Sequence, residues 1–106
     1  MNEAKIPSHY KSLQGKHPGF VAAVESLGKA AQAAGPLDVK TLHLIQLGGA
    51  AAMRSEGSVR SHVRRALEVG ASAEEIEHAL IGLTSTIGFP TVAAALSWAG
   101  KEIGSE

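Results

Sequence analysis

The sequence predicts an all-α protein. Its apolar residues recur at helical spacing, and no stretch of useful length alternates between apolar and polar residues as a strand does. Glycine and proline then divide the chain into segments of helical length, at Gly35-Pro36, at Gly70 and at Gly88-Phe89-Pro90. We therefore expect a compact bundle of about five to six helices.

The composition suggests how such a bundle would pack. The chain has 106 residues, the size of one domain, and at 44% hydrophobic and 19% charged residues it is too apolar for disorder. It contains 18 alanines and 12 glycines but only two phenylalanines, one tyrosine and one tryptophan. Small side chains cannot fill wide gaps, so the helices must approach closely. We expect oligomerisation to complete the core.

The N-terminal residues differ in pattern from the rest. Residues 1–16 predict an N-terminal arm, irregular apart from a short turn near Tyr10. Residues 17–106 then form a single helical domain.

The first two helices of this domain have clear starting signals. Pro18 suits the first position of a helix, where its missing N–H is not needed, and this helix should stop at Gly35-Pro36. Asp38 is a favoured N-cap for a second helix, from Val39 to about Met53. This helix is apolar on nearly all sides after its first turn, so it belongs in the middle of the assembly.

The remaining helices follow from similar signals. A third helix is expected from about Ser58 to Glu68, with Gly70 in the left-handed conformation after it. Ser72 and Glu75 are spaced as a capping box and open a fourth helix. A last helix follows the break at Gly88-Phe89-Pro90.

Charge and cysteine content exclude several kinds of function. The net charge is zero, so nothing steers the whole protein toward nucleic acid or an anionic membrane. The absence of cysteine excludes disulfides, thiolate metal sites and cysteine nucleophiles. The N-terminus lacks the apolar region of a signal peptide, and the long uncharged run, residues 78–100, is broken by polar residues, glycine and proline. We expect a cytoplasmic protein that binds neither nucleic acid nor membrane.

The stretch MRSEGSVRSHVRRALEVG, residues 53–70, gathers the residues that could support chemistry. Ser55 and Ser58 lie three apart, and His62 follows four residues later. A histidine titrates near neutrality and suits proton transfer, whereas a guanidinium can hold a carboxylate with two hydrogen bonds. The arginines of this stretch are Arg54, Arg60, Arg64 and Arg65.

Four pieces of the chain follow one another in a characteristic order. They are Leu37-Asp38-Val39-Lys40 with Leu44-Ile45-Gln46-Leu47, the Ser55–His62 segment, Gly70-Ala71-Ser72-Ala73-Glu74-Glu75-Ile76, and Gly88-Phe89-Pro90 before an alanine-rich helix. In this order they resemble the carboxymuconolactone decarboxylase family, which includes the alkylhydroperoxidase D-like proteins. The likeness spans roughly Ile6 to Ile103 and implies an all-helical homo-trimer or hexamer.

The resemblance also implies where the active site lies. In the redox branch of the family, a helix opens with C-x-x-C-x-x-x-H, and the previous helix carries a glutamate that relays protons. Aligning that histidine with His62 places the two cysteines at Ser55 and Ser58, and the glutamate at His43. A serine hydroxyl does not ionise near neutral pH and cannot form a disulfide, so the family's dithiol peroxidase cycle is impossible for this sequence.

Each candidate residue has a functional and a structural interpretation. His43 and His62 either face one pocket or are packed with a single hydrogen bond each. Ser55 and Ser58 are either nucleophiles, which need a base within reach, or ordinary N-caps. Two arginines nearer the expected pocket could hold an anion, whereas the other arginines suit a solvated helix face. We name His62, His43, Ser58 and Ser55 as candidate catalytic residues and Arg54, Arg60 and Glu56 as candidate substrate contacts.

These residues lead to one functional hypothesis and two alternatives. The hypothesis is a homo-oligomer that binds a small anionic metabolite and performs acid–base chemistry of the lactone decarboxylase type, without metal or other cofactor. The first alternative is a non-catalytic oligomeric binding protein that has lost the thiol activity. The second is a Cys→Ser form of an alkylhydroperoxidase-like antioxidant protein, although such a change would leave His43 unexplained.

Overall fold

The computed structural model describes residues 7–104 of the chain, and all regular structure in that range is helical, as predicted. No helix in this range is long and apolar enough to cross a membrane. The described residues divide into two compact units, with the boundary between Leu37 and Asp38. The helices are α1 (Ser8–Lys16), α2 (Pro18–Ala33), α3 (Val39–Ala52), α4 (Glu56–Glu68), α5 (Ala73–Ile81), α6 (Thr84–Ile87) and α7 (Phe89–Ile103).

The first unit contains α1 and α2. The prediction of an irregular arm is wrong for residues 8–16, which form the helix α1, while residues 1–6 lie outside the described range. The physical reason is tertiary: α1 packs against α2, and the Tyr10 hydroxyl donates a 2.5 Å hydrogen bond to the Glu25 carboxylate. The helix α2 begins at Pro18, as predicted.

The second unit is built around α3, which contacts α4, α5 and α7. Gly48 allows the Leu83 side chain to pack closely against α3, because a Cβ atom at position 48 would lie only 3.1 Å from Cδ1 of Leu83. The core consists of aliphatic side chains and alanines, so close packing does replace bulky aromatic groups. Its largest fully buried members are Leu47, Ile76, Leu80, Val59, Val63 and Val92.

Local signals begin and end most of these helices as predicted. The Asp38 carboxylate accepts a 2.8 Å hydrogen bond from the Thr41 amide, and Ser72 and Glu75 form the complete capping box. Gly70 has a φ of +98°, the left-handed conformation expected of it. The helix that carries His62 begins earlier than expected, at Glu56.

The chain between α5 and α7 has one more break than expected. The helix that Ser72 caps ends at Ile81, and the short helix α6 follows as a separate turn. Gly88, with a φ of +92°, then separates α6 from α7, which confirms the predicted break before Pro90.

Candidate functional site

The structure brings the two candidate histidines together. His43 lies on α3 and His62 on α4, and these two helices pack against each other. The centroids of the imidazole rings are 6.1 Å apart, and the ring planes are tilted by 42°. The two rings are therefore close neighbours across the contact between α3 and α4.

Both rings carry an unsatisfied nitrogen. The Nδ1 atoms of His43 and His62 are buried, and neither has a hydrogen-bond partner in the described part of the chain. Leaving a buried polar atom unpaired costs about 1–3 kcal/mol, so such atoms call for an explanation. The described residues include one further atom of this kind, Nε of Arg64, so the histidine pair accounts for two of the three.

The surroundings of the pair keep both rings neutral near pH 7. Burial lowers the pKa of His62 to about 4, and the charges of Arg65 and His43 act in the same direction. Burial and Arg65 also lower the pKa of His43, against the smaller opposing effects of Gln46 and Glu68. Desolvation disfavours the charged form of a histidine, and a nearby cation disfavours it further.

Arg65 is the cation that acts on both rings. It is exposed on α4, three residues after His62, and its carboxylate neighbour Glu68 lies on the same helix. The sequence pattern favours a solvated helix face for Arg65, and the side chain is exposed, but its charge also acts on both histidines. The i,i+3 spacing from His62 was the signal that could have placed it at the site, because residues so spaced are neighbours on a helix.

The two serines have different positions. Ser55 is the N-cap of α4, and its hydroxyl accepts a 3.4 Å hydrogen bond from the Ser58 amide. Ser58 is exposed in the first turn of the same helix, one helical turn before His62. The capping interpretation therefore applies to Ser55, whereas the Ser58 hydroxyl is not the capping group.

Two of the three predicted substrate contacts take part in an ion-pair network between α4 and α7. Arg60 donates a 2.6 Å hydrogen bond from Nε to Glu102, and Arg64 lies 3.2 Å from the same oxygen. Glu56 pairs with Lys101 at 3.0 Å and with Arg60 at 3.7 Å. Burial alone would raise the pKa of the Glu102 carboxyl, but its hydrogen bonds from the two arginines outweigh burial and lower it.

Arg54 is held in a different way. Among the non-glycine residues that the structure describes, Arg54 is the one with a positive φ, 55°. Its Nη2 donates a 2.7 Å hydrogen bond to the Thr91 hydroxyl. Thr91 is one of the few buried polar residues of α7. Sequence reasoning missed both Thr91 and Glu102, because they lie 37 and 42 residues from their partners.

A shallow groove of about 490 Å³ lies elsewhere on the second unit, between α3 and α5. It contains none of the predicted site residues, and its lining residues are Leu44, Glu75, His78, Ala79, Gly82 and Leu83. Within residues 7–104, no three His, Asp or Glu side chains are arranged to hold a metal ion.

Comparisons with known proteins identify the family of this helical bundle. The model of the carboxymuconolactone decarboxylase family matches residues 18–101, and the chain belongs to that family. Its structure is similar to the crystal structure of an apo carboxymuconolactone decarboxylase family protein from Legionella pneumophila, with a TM-score of 0.79. That similarity covers 92% of this chain and 87% of the other at 24% sequence identity, so it supports the fold. The comparison with curated proteins gave no match.

Proposed function

We propose that this protein binds a small carboxylated metabolite at the His43–His62 pair and performs non-redox, acid–base chemistry on it, of the lactone decarboxylase type. One observation carries the proposal: two neighbouring imidazoles on adjacent helices each have a buried Nδ1 atom without a partner in the described part of the chain, and the charge of Arg65 acts on both rings. Two neutral imidazoles and one cation form an environment that favours an anion over a metal cation.

The chemistry needs only groups that this chain has. In a lactone decarboxylation, the bond between the substrate carbon and its carboxylate breaks, and carbon dioxide leaves. The electron pair stays on the substrate and delocalises toward the lactone carbonyl, and a proton then returns to carbon. Arg65 would hold the carboxylate before it leaves, and the imidazole pair would pass a proton from solvent to the substrate carbon.

The serines have supporting roles in this proposal. Ser55 fixes the start of α4, and therefore the direction in which the helix presents His62. Ser58, exposed one turn before His62, would donate a hydrogen bond to the lactone ring. Neither hydroxyl can replace the thiolate of a peroxidase at neutral pH.

A second candidate is a binding protein without turnover, and one observation favours it. Arg60 and Glu56, both expected at the substrate, are engaged with α7 through Glu102 and Lys101. This leaves fewer polar groups to stabilise a transition state than sequence reasoning anticipated. Such a protein would still bind a carboxylate through the histidine pair.

We also propose that the working protein is a homo-oligomer, a trimer or hexamer. The apolar side chains of α2 support this proposal, because Phe20, Val24 and Leu27 are at least half exposed in the single chain. Exposed apolar groups grouped on one helix are typical of a protein–protein contact. Native mass spectrometry would measure the subunit number, and a monomer at micromolar concentration would contradict this part of the proposal.

Thermal shift with two matched probes tests the binding step. The probes are 5-oxotetrahydrofuran-2-carboxylate, a carboxylated lactone, and γ-butyrolactone, which has the same ring without the charge. At 100 times its dissociation constant, a ligand adds about 2.7 kcal/mol of stability. We expect the carboxylated lactone, and not γ-butyrolactone, to raise the melting temperature of the wild type. This rise should be lost in His62→Gln. It should be kept in the control His78→Gln, which alters an exposed histidine of α5.

Turnover is tested separately. Release of carbon dioxide from carboxymuconolactone by the wild type, and its loss in His62→Gln, would support the enzyme. Binding of the carboxylated probe without any release would favour the binding protein. The absence of a shift with every carboxylate would contradict both candidates.

A further inference from the structure

The first unit has almost no core of its own. Among the residues that the structure describes, α1 has no buried residue and α2 has one, Val21. A pair of helices that buries so little apolar surface does not offset the entropy that is lost when its chain becomes ordered. The first unit therefore needs a further contact to be stable.

The apolar side chains available for such a contact lie in one row along α2. Phe20, Val24 and Leu27 are 59%, 50% and 69% exposed. Their spacing of four and then three residues places them on one side of the helix, and we call this row the α2 stripe. A helix that docks into an apolar groove presents its anchoring side chains at this spacing. The α2 stripe thus has the form of the inserted half of an interface.

The groove between α3 and α5 has the form of the receiving half. Four of its six lining residues are apolar or glycine, and the six are Leu44, Ala79, Gly82, Leu83, Glu75 and His78. Lys40 of α3 lies 3.0 Å from the Glu75 carboxylate, so an ion pair joins the two helices beside the groove. A small-molecule site encloses most of its ligand, whereas this groove is shallow. It therefore suits a helix that lies along it.

The charges of the two surfaces are of opposite sign. Residues 7–37 contain three lysines and one glutamate, a net charge of +2 with histidine neutral. The helix α5 contains three glutamates and neither lysine nor arginine. Opposite charges steer two surfaces together, whereas two facing α5 helices would bring like charges together. The first unit of another copy therefore fits this groove better than a second groove does.

We propose that the α2 stripe of one copy docks into the α3–α5 groove of a second copy of this chain. The inference rests on the homo-oligomer of the proposed function and deepens it, because it names the two surfaces that meet. These surfaces differ, so each copy inserts its α2 into one neighbour and receives the α2 of another. Such a contact closes into a ring when the rotation between copies permits it, as a trimer requires.

Disulfide trapping tests the contact, because the chain has no cysteine and each introduced thiol is unique. Leu27→Cys and Ala79→Cys are co-expressed and oxidised with diamide, and the products are separated on a non-reducing gel and identified by mass. We expect the main product to join one chain of each variant.

The matched control pairs Leu27→Cys with Glu77→Cys, which alters an exposed residue of α5 outside the groove. A disulfide requires Cβ atoms about 3.5–4.5 Å apart, so this pair should give about tenfold less product. Circular dichroism checks that each variant keeps its helix content. If the half-buried Ala79 does not tolerate the change, His78→Cys, at an exposed position of the same groove, takes its place.

Sedimentation velocity over a dilution series measures association without any thiol. Leu27→Glu places a charge in the α2 stripe and should weaken self-association about tenfold or more. Ala22→Glu is the matched control, because Ala22 is exposed on α2 and its spacing places it away from the stripe. This variant should associate like the wild type.

The outcomes are distinct. An oligomer that gives no product between the two variants, a main product that joins two chains of one variant, or equal trapping at Glu77 would each overturn this inference and leave the homo-oligomer standing. A chain that sediments as a monomer at every concentration would overturn both. Ligand binding at the His43–His62 pair is tested separately by thermal shift, because the groove contains neither histidine.

Discussion

Replacing His62 with glutamine should change how the stability of this protein depends on pH. In the folded chain, burial, Arg65 and His43 lower the pKa of His62 from 6.5 to about 4. Between these two values the unfolded chain binds a proton at His62 and the folded chain does not. The free energy of unfolding therefore falls as the pH falls through this window.

The size of the effect follows from the same two values. The pKa difference is about 2.5, and each pKa unit corresponds to 1.36 kcal/mol, so the wild type should lose about 3 kcal/mol between pH 7.5 and pH 4 through His62. Glutamine does not titrate, so His62→Gln should lack this part of the pH dependence. Contributions from other groups, such as Glu102, are common to both proteins and cancel in the difference.

Urea unfolding at a fixed protein concentration measures the effect. Wild type and His62→Gln would be compared at pH 7.5, 5.5 and 4, with His78→Gln as a control for the loss of an imidazole at an exposed position. We expect the free energy of unfolding of the wild type, relative to that of His62→Gln, to decrease steadily as the pH falls. Parallel curves for wild type and His62→Gln would refute the description of His62 as a neutral, half-buried imidazole.

Two other substitutions test the parts of the fold that hold α4. Glu102→Gln should lower the free energy of unfolding by about 2–4 kcal/mol at pH 7, because it leaves the largely buried Arg64 without its anion. Because pairing lowers the pKa of the Glu102 carboxyl, the difference between wild type and variant should become smaller as the pH falls below the ordinary carboxyl pKa. Denaturant unfolding at pH 7 and pH 3.5 would measure both effects. Gly70→Ala should destabilise the protein by about 1–2 kcal/mol, because Gly70 has a φ of +98°. Gly28→Ala should stabilise it by about 0.5–1 kcal/mol, because Gly28 lies inside α2 with no other atom near the position of the added Cβ. Melting temperatures that changed in the same direction in both variants would contradict this.

The helix boundaries that sequence reasoning predicted correctly depend on short-range contacts. Asp38 and the Ser72–Glu75 capping box satisfy amides within three residues, and Gly70 adopts a conformation that other residues avoid. Such interactions hardly depend on the rest of the fold, so the residue types alone indicate them. The helix α1 is different, because its polar sequence has weak periodicity and it packs on α2. That contact is invisible in a local pattern.

The candidate site was predictable to a similar extent. The family resemblance located His43 and His62, and the structure places their rings beside each other. The resemblance could not indicate that Glu102 of α7 pairs with Arg60, because that contact spans 42 residues and depends on how α7 packs against α4. Arginines that are close together in the sequence therefore lie in different environments in the structure. Arg65 acts on the histidine pair, and Arg60 joins α4 to α7.

The residue at position 43 connects these observations to the altered chemistry of the site. The resemblance implies a glutamate at this position in redox relatives, and a carboxylate beside His62 would favour its imidazolium form. Here His43 takes that position and disfavours a charge on His62, together with Arg65. Compared with that implied glutamate, His43 carries no negative charge at neutral pH, and the resemblance also implies that Ser55 and Ser58 occupy the thiol positions. Under the proposed function, a site that differs in both ways would not relay protons from a thiol, and a carboxylate ligand would supply the negative charge that the site lacks.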